Sequence, residues 1–236
     1  MINLYQWGSD GKLPNAGFFC MKLESYLKLQ KINHTVHSVS SVGKSPKKTM
    51  PFIEIDGIYT SDSQLIIEQL EEKQSIPLNL HLSEVQKLES HVYQMMLEKQ
   101  LIPSVIYFRW FPDLGWNQFS RKIFYGAPTI IRILIGGMLR KQQIKSLYSN
   151  GVSRHSSKEI IGFAEKDLAS ISNLLGNKNF FYNDKPCLLD IVTYTVICNI
   201  LMASVDMPLI DLTKKYSNLV SHAERMLWLI YNRKIN

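Results

Sequence analysis

A small mixed α/β unit followed by an all-helical one is the fold class predicted for this chain of 236 residues. Three observations predict it. Apolar–polar runs of strand character fall only in the first third of the chain. Two of them flank Asp56-Gly57, a two-residue turn of the hairpin type. After Pro77 the apolar residues recur only at helical spacing.

Ile2 to Gln6 alternates apolar and polar residues and predicts the first strand, with Gly11, Pro14 and Asn15 in the loop behind it. From Gly17 the period becomes helical. Phe19, Leu23, Tyr26 and Leu27 share one face, and Glu24 pairs with Lys28 at i, i+4. Thr35 to Val39, rich in β-branched residues, predicts the second strand. Gly43-Lys44-Ser45-Pro46 is a loop, and Phe52–Ile55 and Ile58–Thr60 are the arms of the hairpin. Ser61-Asp62-Ser63 then caps a helix carrying Leu65, Ile66, Ile67 and Leu70. A βαβ crossover makes the first two strands parallel, whereas the hairpin is antiparallel. That is the layout of a thioredoxin-type domain, spanning residues 1–77.

Residues 82–236 read as the helical domain. Ser83 with Gln86 makes a capping box ahead of an apolar stripe formed by Val85, Leu88, Val92, Met95 and Met96. Pro103 is expected to kink or end that helix. Ser156 with Glu159 makes a second box, before Ile160, Phe163, Ala164, Leu168, Ile171 and Leu175. Leu188 to Met202 is apolar nearly all round, as in a helix at the centre of a bundle. A last amphipathic helix runs from about Leu219 to Ile230.

Composition narrows the class. The chain is 45% hydrophobic and 20% charged, with a mean hydropathy of −0.08, which suits a folded core and not a disordered chain. Cys20, Cys187 and Cys198 form no paired framework, Met1 to Trp7 lacks a signal-peptide pattern, and Ile130 to Leu139 is too short to span a bilayer. A cytoplasmic location is the expectation. Residues 1–78 carry 8 basic and 8 acidic groups, so the formal charge of +7 arises entirely beyond them. Between Asp113 and Glu159 there is no acidic residue. Arg121, Lys122, Arg132, Arg140, Lys141, Lys145, Arg154 and Lys158 fall there. Such a stretch suits a solvated helical face, anionic lipid or an acidic ligand. No nucleic-acid-binding signature accompanies it. Gly43-Lys44-Ser45 is no P-loop, because Ser38 occupies the first glycine place. His34 and His37 point to opposite faces of one strand, and His81, His91, His155 and His222 are scattered, so no metal site is expected.

Several segments carry a more particular likeness. Pro14-Asn15 with Phe19-Cys20-Met21-Lys22-Leu23-Glu24, Lys44 to Ile53 and Ser61 to Glu68 are three of them; Arg109-Trp110, Gly115-Trp116, Gly151 to Glu159 and Glu224-Arg225-Met226 are others. In this order and spacing the chain resembles the glutathione transferase superfamily, on the side of its failed-axon-connections and metaxin-like branch and bacterial relatives. The resemblance implies a thioredoxin-like domain that holds glutathione, a helical domain, and often a homodimer.

That resemblance implies the following site. A cis bond between Met50 and Pro51 would aim the Met50 backbone N–H and C=O at the cysteinyl part of glutathione, or serve the turn alone. Asp62 and Ser63, at a helix start, would cap the helix and take the two charges of the γ-glutamyl end. At the catalytic place, where relatives carry Ser or Cys, stands Gly17. The amides of Gly17 and Phe18, the Asn15 side chain or Tyr5 would then stabilise the thiolate. Cys20 is either a reactive thiol or a small core residue. Tyr107, Trp110, Phe111 and Trp116 would line a pocket for a hydrophobic substrate, or pack the two domains together. Asp190 resembles the family's helix-capping acid, in a box weakened by Cys187. The reaction implied is conjugation of a small electrophile or its reduction by thiol exchange. A non-catalytic adaptor of the same fold, or a module touching membrane peripherally, is the alternative.

Overall fold

The structure is a computed structural model describing residues 1–9, 13–73, 77–124, 128–182, 184–202 and 205–235. Gly11 lies outside them. Four strands, β1 (Ile2–Gln6), β2 (His34–Ser38), β3 (Phe52–Ile55) and β4 (Ile58–Ser61), form one sheet in the order β2-β1-β3-β4. β1 and β2 are parallel, and the other two pairings are antiparallel. The second strand runs one residue earlier at both ends than its composition predicts, because the five residues Ile2 to Gln6 of β1 pair with His34 to Ser38. Asp56 and Gly57 both adopt positive φ, 52° and 83°, the backbone that a tight hairpin of right-handed twist requires.

Helices α1 (Phe18–Leu29) and α2 (Ser63–Glu71) belong to this first part of the chain. Ile2 and Leu4 of β1 are buried with Met21, Leu23, Leu27, Ile66 and Ile67. Tyr5 takes the opposite face, stacked between Phe52 and His37 at centroid distances of 4.7 and 4.9 Å. It packs there against both rings.

The second part contains α3 (Glu84–Met96), a π-helical turn (Leu97–Leu101), α4 (Ile102–Trp110), α5 (Asp113–Ile123), α6 (Thr129–Ser149), α7 (Ser157–Leu175), α8 (Leu188–Leu201), α9 (Pro208–Lys214) and α10 (Ser217–Tyr231). Both capping boxes form as expected, at Ser83/Gln86 and Ser156/Glu159. Pro103 neither ends nor breaks its helix. It lacks an N–H and its ring would strike the carbonyl one turn back, and the wider π turn just before it carries the chain through. The apolar stripe of α3 is turned outward: Val85, Leu88 and Val92 are exposed, while Gln94 and Glu98 are buried. Gly115 sits where a Cβ would lie 1.9 Å from the Phe108 carbonyl oxygen, so α5 can cross α4 this closely only at a glycine.

Helix α8 runs through the core with every residue from Leu188 to Ile200 buried. Its capping box survives the replacement of a hydroxyl by a thiol. The Cys187 sulfur accepts the Asp190 N–H, and Asp190 Oδ2 accepts the Cys187 N–H at 2.8 Å. Asp190 Oδ1 also takes the Phe181 N–H and Nε2 of His222, a fully buried pair that the scattered histidines gave no sign of.

Candidate functional site

Strand register gathers three segments at one end of the sheet. Tyr5 faces Phe52, and Phe52 faces Ser61. One step further along this register come Gln6, Pro51 and Asp62, each at the point where its strand stops. The Met50–Pro51 bond is cis. The loop before it is tied down from both sides: the Lys47 N–H donates to Ser61 Oγ at 3.0 Å and the Thr49 N–H to Ser45 Oγ at 3.2 Å. Met50 itself has no backbone hydrogen bond to any of the described residues.

Across from it, Asp62 caps α2. Its Oδ1 accepts the N–H groups of Gln64 and Leu65 at 2.9 and 3.3 Å, and Ser63 behind it is buried. Asp62 holds φ at +84°, a sparsely populated conformation for a residue with a side chain, and its carboxylate lies exposed. The first turn of α2 is then anchored from below. Gln64 Oε1 accepts from Lys22 Nζ at 2.9 Å and from Gln94 Nε2 at 2.7 Å, and Lys22 pairs with Glu98 at 2.7 Å. Burial pulls the Lys22 ammonium below its ordinary pKa, and the Glu98 carboxylate opposes that shift.

The entry of α1 supplies the third edge. Gly17 is its N-cap, and the Gly17 N–H donates to Asn15 Oδ1 at 2.8 Å. Asn15 Nδ2 in turn donates to the Trp7 carbonyl at 2.7 Å, and Asn15 is fully buried. Asn15 therefore shapes the loop and holds the Gly17 amide. The Phe18 N–H has no partner among the described residues and remains for one. Cys20 lies in the first turn of α1. It is 1% exposed, its sulfur accepts the Trp7 N–H, and burial pushes its thiol up to about 12. A thiol held neutral in this way packs as a small core residue.

The aromatic residues form two stacks. Tyr107, buried with its hydroxyl 3.1 Å from Ser157 Oγ, stacks on Phe111 at 4.9 Å. Trp110 stacks on Trp116 at 5.2 Å and meets the edge of Phe119. Trp116 borders a cleft of about 240 Å³ between α5 and α6. The link to the site is Arg109, almost fully buried. Its guanidinium lies over the rings of Phe18 and Phe119 and donates to the carbonyls of Ala16 and Asn199. Arg109, Trp7 and the Lys22–Gln64–Glu98 cluster are the residues near the site that patterning does not single out. Lys22 carries one legible sign, a charge on the same helical face as Phe18 and Tyr26.

Residues 18–115 match the glutathione S-transferase N-terminal domain and residues 164–226 the glutathione S-transferase C-terminal domain. The chain belongs to the glutathione transferase superfamily. It is 32% identical to failed axon connections of Drosophila melanogaster over 96% of its own length, and spans 57% of that longer protein. It is 26% identical to the isoprene-epoxide–glutathione S-transferase of Rhodococcus sp. (strain AD45), covering 96% of this chain and 98% of that one. Metaxin-1 of Mus musculus is 23% identical over 86% of this chain and 67% of its own. Among solved structures, a glutathione S-transferase of Methylobacillus flagellatus with glutathione bound superposes with a TM-score of 0.62 at 14% identity, covering 96% and 95% of the two chains. Between the two matched domains lie residues 116–163, most of α5 and the whole of α6.

Proposed function

We propose that this chain binds glutathione or a γ-glutamyl relative across the end of its sheet and brings the thiol to a small electrophile. The observation that carries the reading is the Met50 main chain, without a hydrogen-bond partner among the described residues, at the same end of the sheet as the Asp62-capped start of α2. A peptide's cysteinyl N–H and C=O complement the first. The carboxylate of a γ-glutamyl end suits the helix terminus, and its ammonium suits the exposed Asp62 carboxylate. In relatives a hydroxyl or thiol steadies the sulfur. Here the Phe18 N–H and the α1 dipole take that task. The thiolate then forms a carbon–sulfur bond as the electrophile's ring opens or its leaving group departs.

A second reading is a non-catalytic adaptor of the same fold, and a specific feature favours it: the catalytic place is Gly17, and both Asn15 and Cys20 are buried. In either case a homodimer would cover the exposed Val85, Leu88 and Val92 of α3. Retention on immobilised glutathione, with elution by the free tripeptide, supports binding. Turnover of a small epoxide with glutathione separates the enzyme from the adaptor, which binds and does not turn over.

A further inference from the structure

We infer that α6 is a docking helix for the surface of an anionic phospholipid membrane. A surface helix ordinarily turns its apolar stripe inward. In α6 the stripe is reversed. Ile130, Ile133, Leu134, Ile135 and Met138 are each between 43% and 67% exposed. The face toward the protein is built from Gly136, Arg140 and Leu147. A Cβ at Gly136 would lie 3.1 Å from the Phe124 ring and 3.2 Å from Trp116, so this glycine seats the helix on α5. Arg140 fixes it to the end of α4, donating to the carbonyls of Trp110 and Phe111 and to Asp113. The helix is thus held rigidly with its greasy side to solvent.

Charge identifies the occupant. The same outward face continues through Lys141 and Lys145, both exposed. The cleft beside it, about 240 Å³, is lined by Trp116, Asn117, Ser120, Arg121, Arg132 and Ile133, two guanidinium side chains and no carboxylate. Between Asp113 and Glu159 the chain has no acidic residue at all. Apolar side chains at one level with cations beside them suit acyl chains below a layer of phosphate headgroups, with the helix lying in the plane of the interface. Among the described residues no helix is long and apolar enough to cross a membrane. The inference does not depend on glutathione binding.

Sedimentation of the full chain with vesicles tests it. Vesicles of phosphatidylcholine with about 30% phosphatidylglycerol should take up at least tenfold more protein than pure phosphatidylcholine at low salt, and the excess should vanish near about 0.5 M salt. Leu134→Asp/Met138→Asp, at exposed positions and with an unchanged melting temperature, should lose tenfold or more of the binding. Arg121→Ala/Arg132→Ala should lower the preference for anionic vesicles. Wild-type protein that stays in solution, or an aspartate variant that pellets like wild type, overturns the inference. So does a concentration-dependent oligomer that the aspartate variant dissolves without any vesicle binding, since the face then belongs to a second copy of the chain.

Discussion

Lys22 on α1 and Glu98 on the π turn form an ion pair of 2.7 Å with both side chains almost wholly buried. Gln64, the second residue of α2, bonds to Lys22, and Gln94 bonds to both Gln64 and Glu98. The pair therefore joins the helix behind the candidate site to the helical part of the chain. Lys22→Met leaves a buried carboxylate without its cation and should cost about 3–5 kcal/mol in denaturant unfolding. Lys22→Met/Glu98→Leu should cost less than either single change, because it removes both charges.

The cysteines give a chemical test of the corrected site. All three are free and buried, and burial raises the pKa of each thiol. At about pH 8 a thiol-specific disulfide reagent should titrate less than one group in minutes on the native protein. After denaturation it should titrate all three cysteines. Rapid reaction of one native thiol, mapped to Cys20, would restore it as a nucleophile.

Asp167 on α7 accepts from Gln100 Nε2 at 3.1 Å through Oδ1, and burial pushes its carboxyl up to about 7. The ordinary value is about 3.9. Between the two, the folded chain keeps a proton that the unfolded chain releases. The associated stability is complete below the lower value and lost as pH rises through the upper one. Asp167→Asn should therefore raise stability by about 3 kcal/mol more at about pH 8 than at about pH 5. Equal gains at both would contradict the assignment.

Gly17 is the residue whose replacement reports on chemistry. A Cβ there would meet Asn15 Oδ1 at 3.1 Å and both Cys20 Sγ and Trp7 Cδ1 at 3.2 Å. These are side-chain atoms, and Trp7 is partly exposed, so a few tenths of an ångström of movement accommodates serine. The φ of −83° suits any residue. A hydroxyl donating to a thiolate is worth about 1.5 kcal/mol or more, so Gly17→Ser should raise the rate of glutathione conjugation at least tenfold in a steady-state assay. A rate unchanged from wild type would mean that the missing hydroxyl is not what limits catalysis.

Much of the fold was legible because its signals are local. Asp56-Gly57 demands a hairpin, Ser83/Gln86 and Ser156/Glu159 write helix starts, and the unbroken apolar run after Cys187 belongs in a core. What escaped depends on tertiary context. Apolar periodicity marks a stripe on α3 but not its direction, and buried Gln94 and Glu98, which bind Lys22 and Gln64, turn Val85 and Leu88 outward. The π turn before Pro103 has no sequence period of its own. At the site, Asp62 was readable as a cap from its place before α2. The burial of Asn15 and Cys20 was not, since it follows from Trp7 closing over Gly17 at the end of β1.

The central claim rests on the exposed charge at Asp62, and Asp62→Asn isolates it. Asparagine tolerates the same positive φ and can still cap α2, so the fold should hold within about 0.5 kcal/mol. Titration calorimetry with glutathione on both proteins is the direct measurement. The account predicts saturable binding to wild type and at least tenfold weaker binding to Asp62→Asn. Equal affinity for the two proteins, or no heat of binding to wild type, would contradict it.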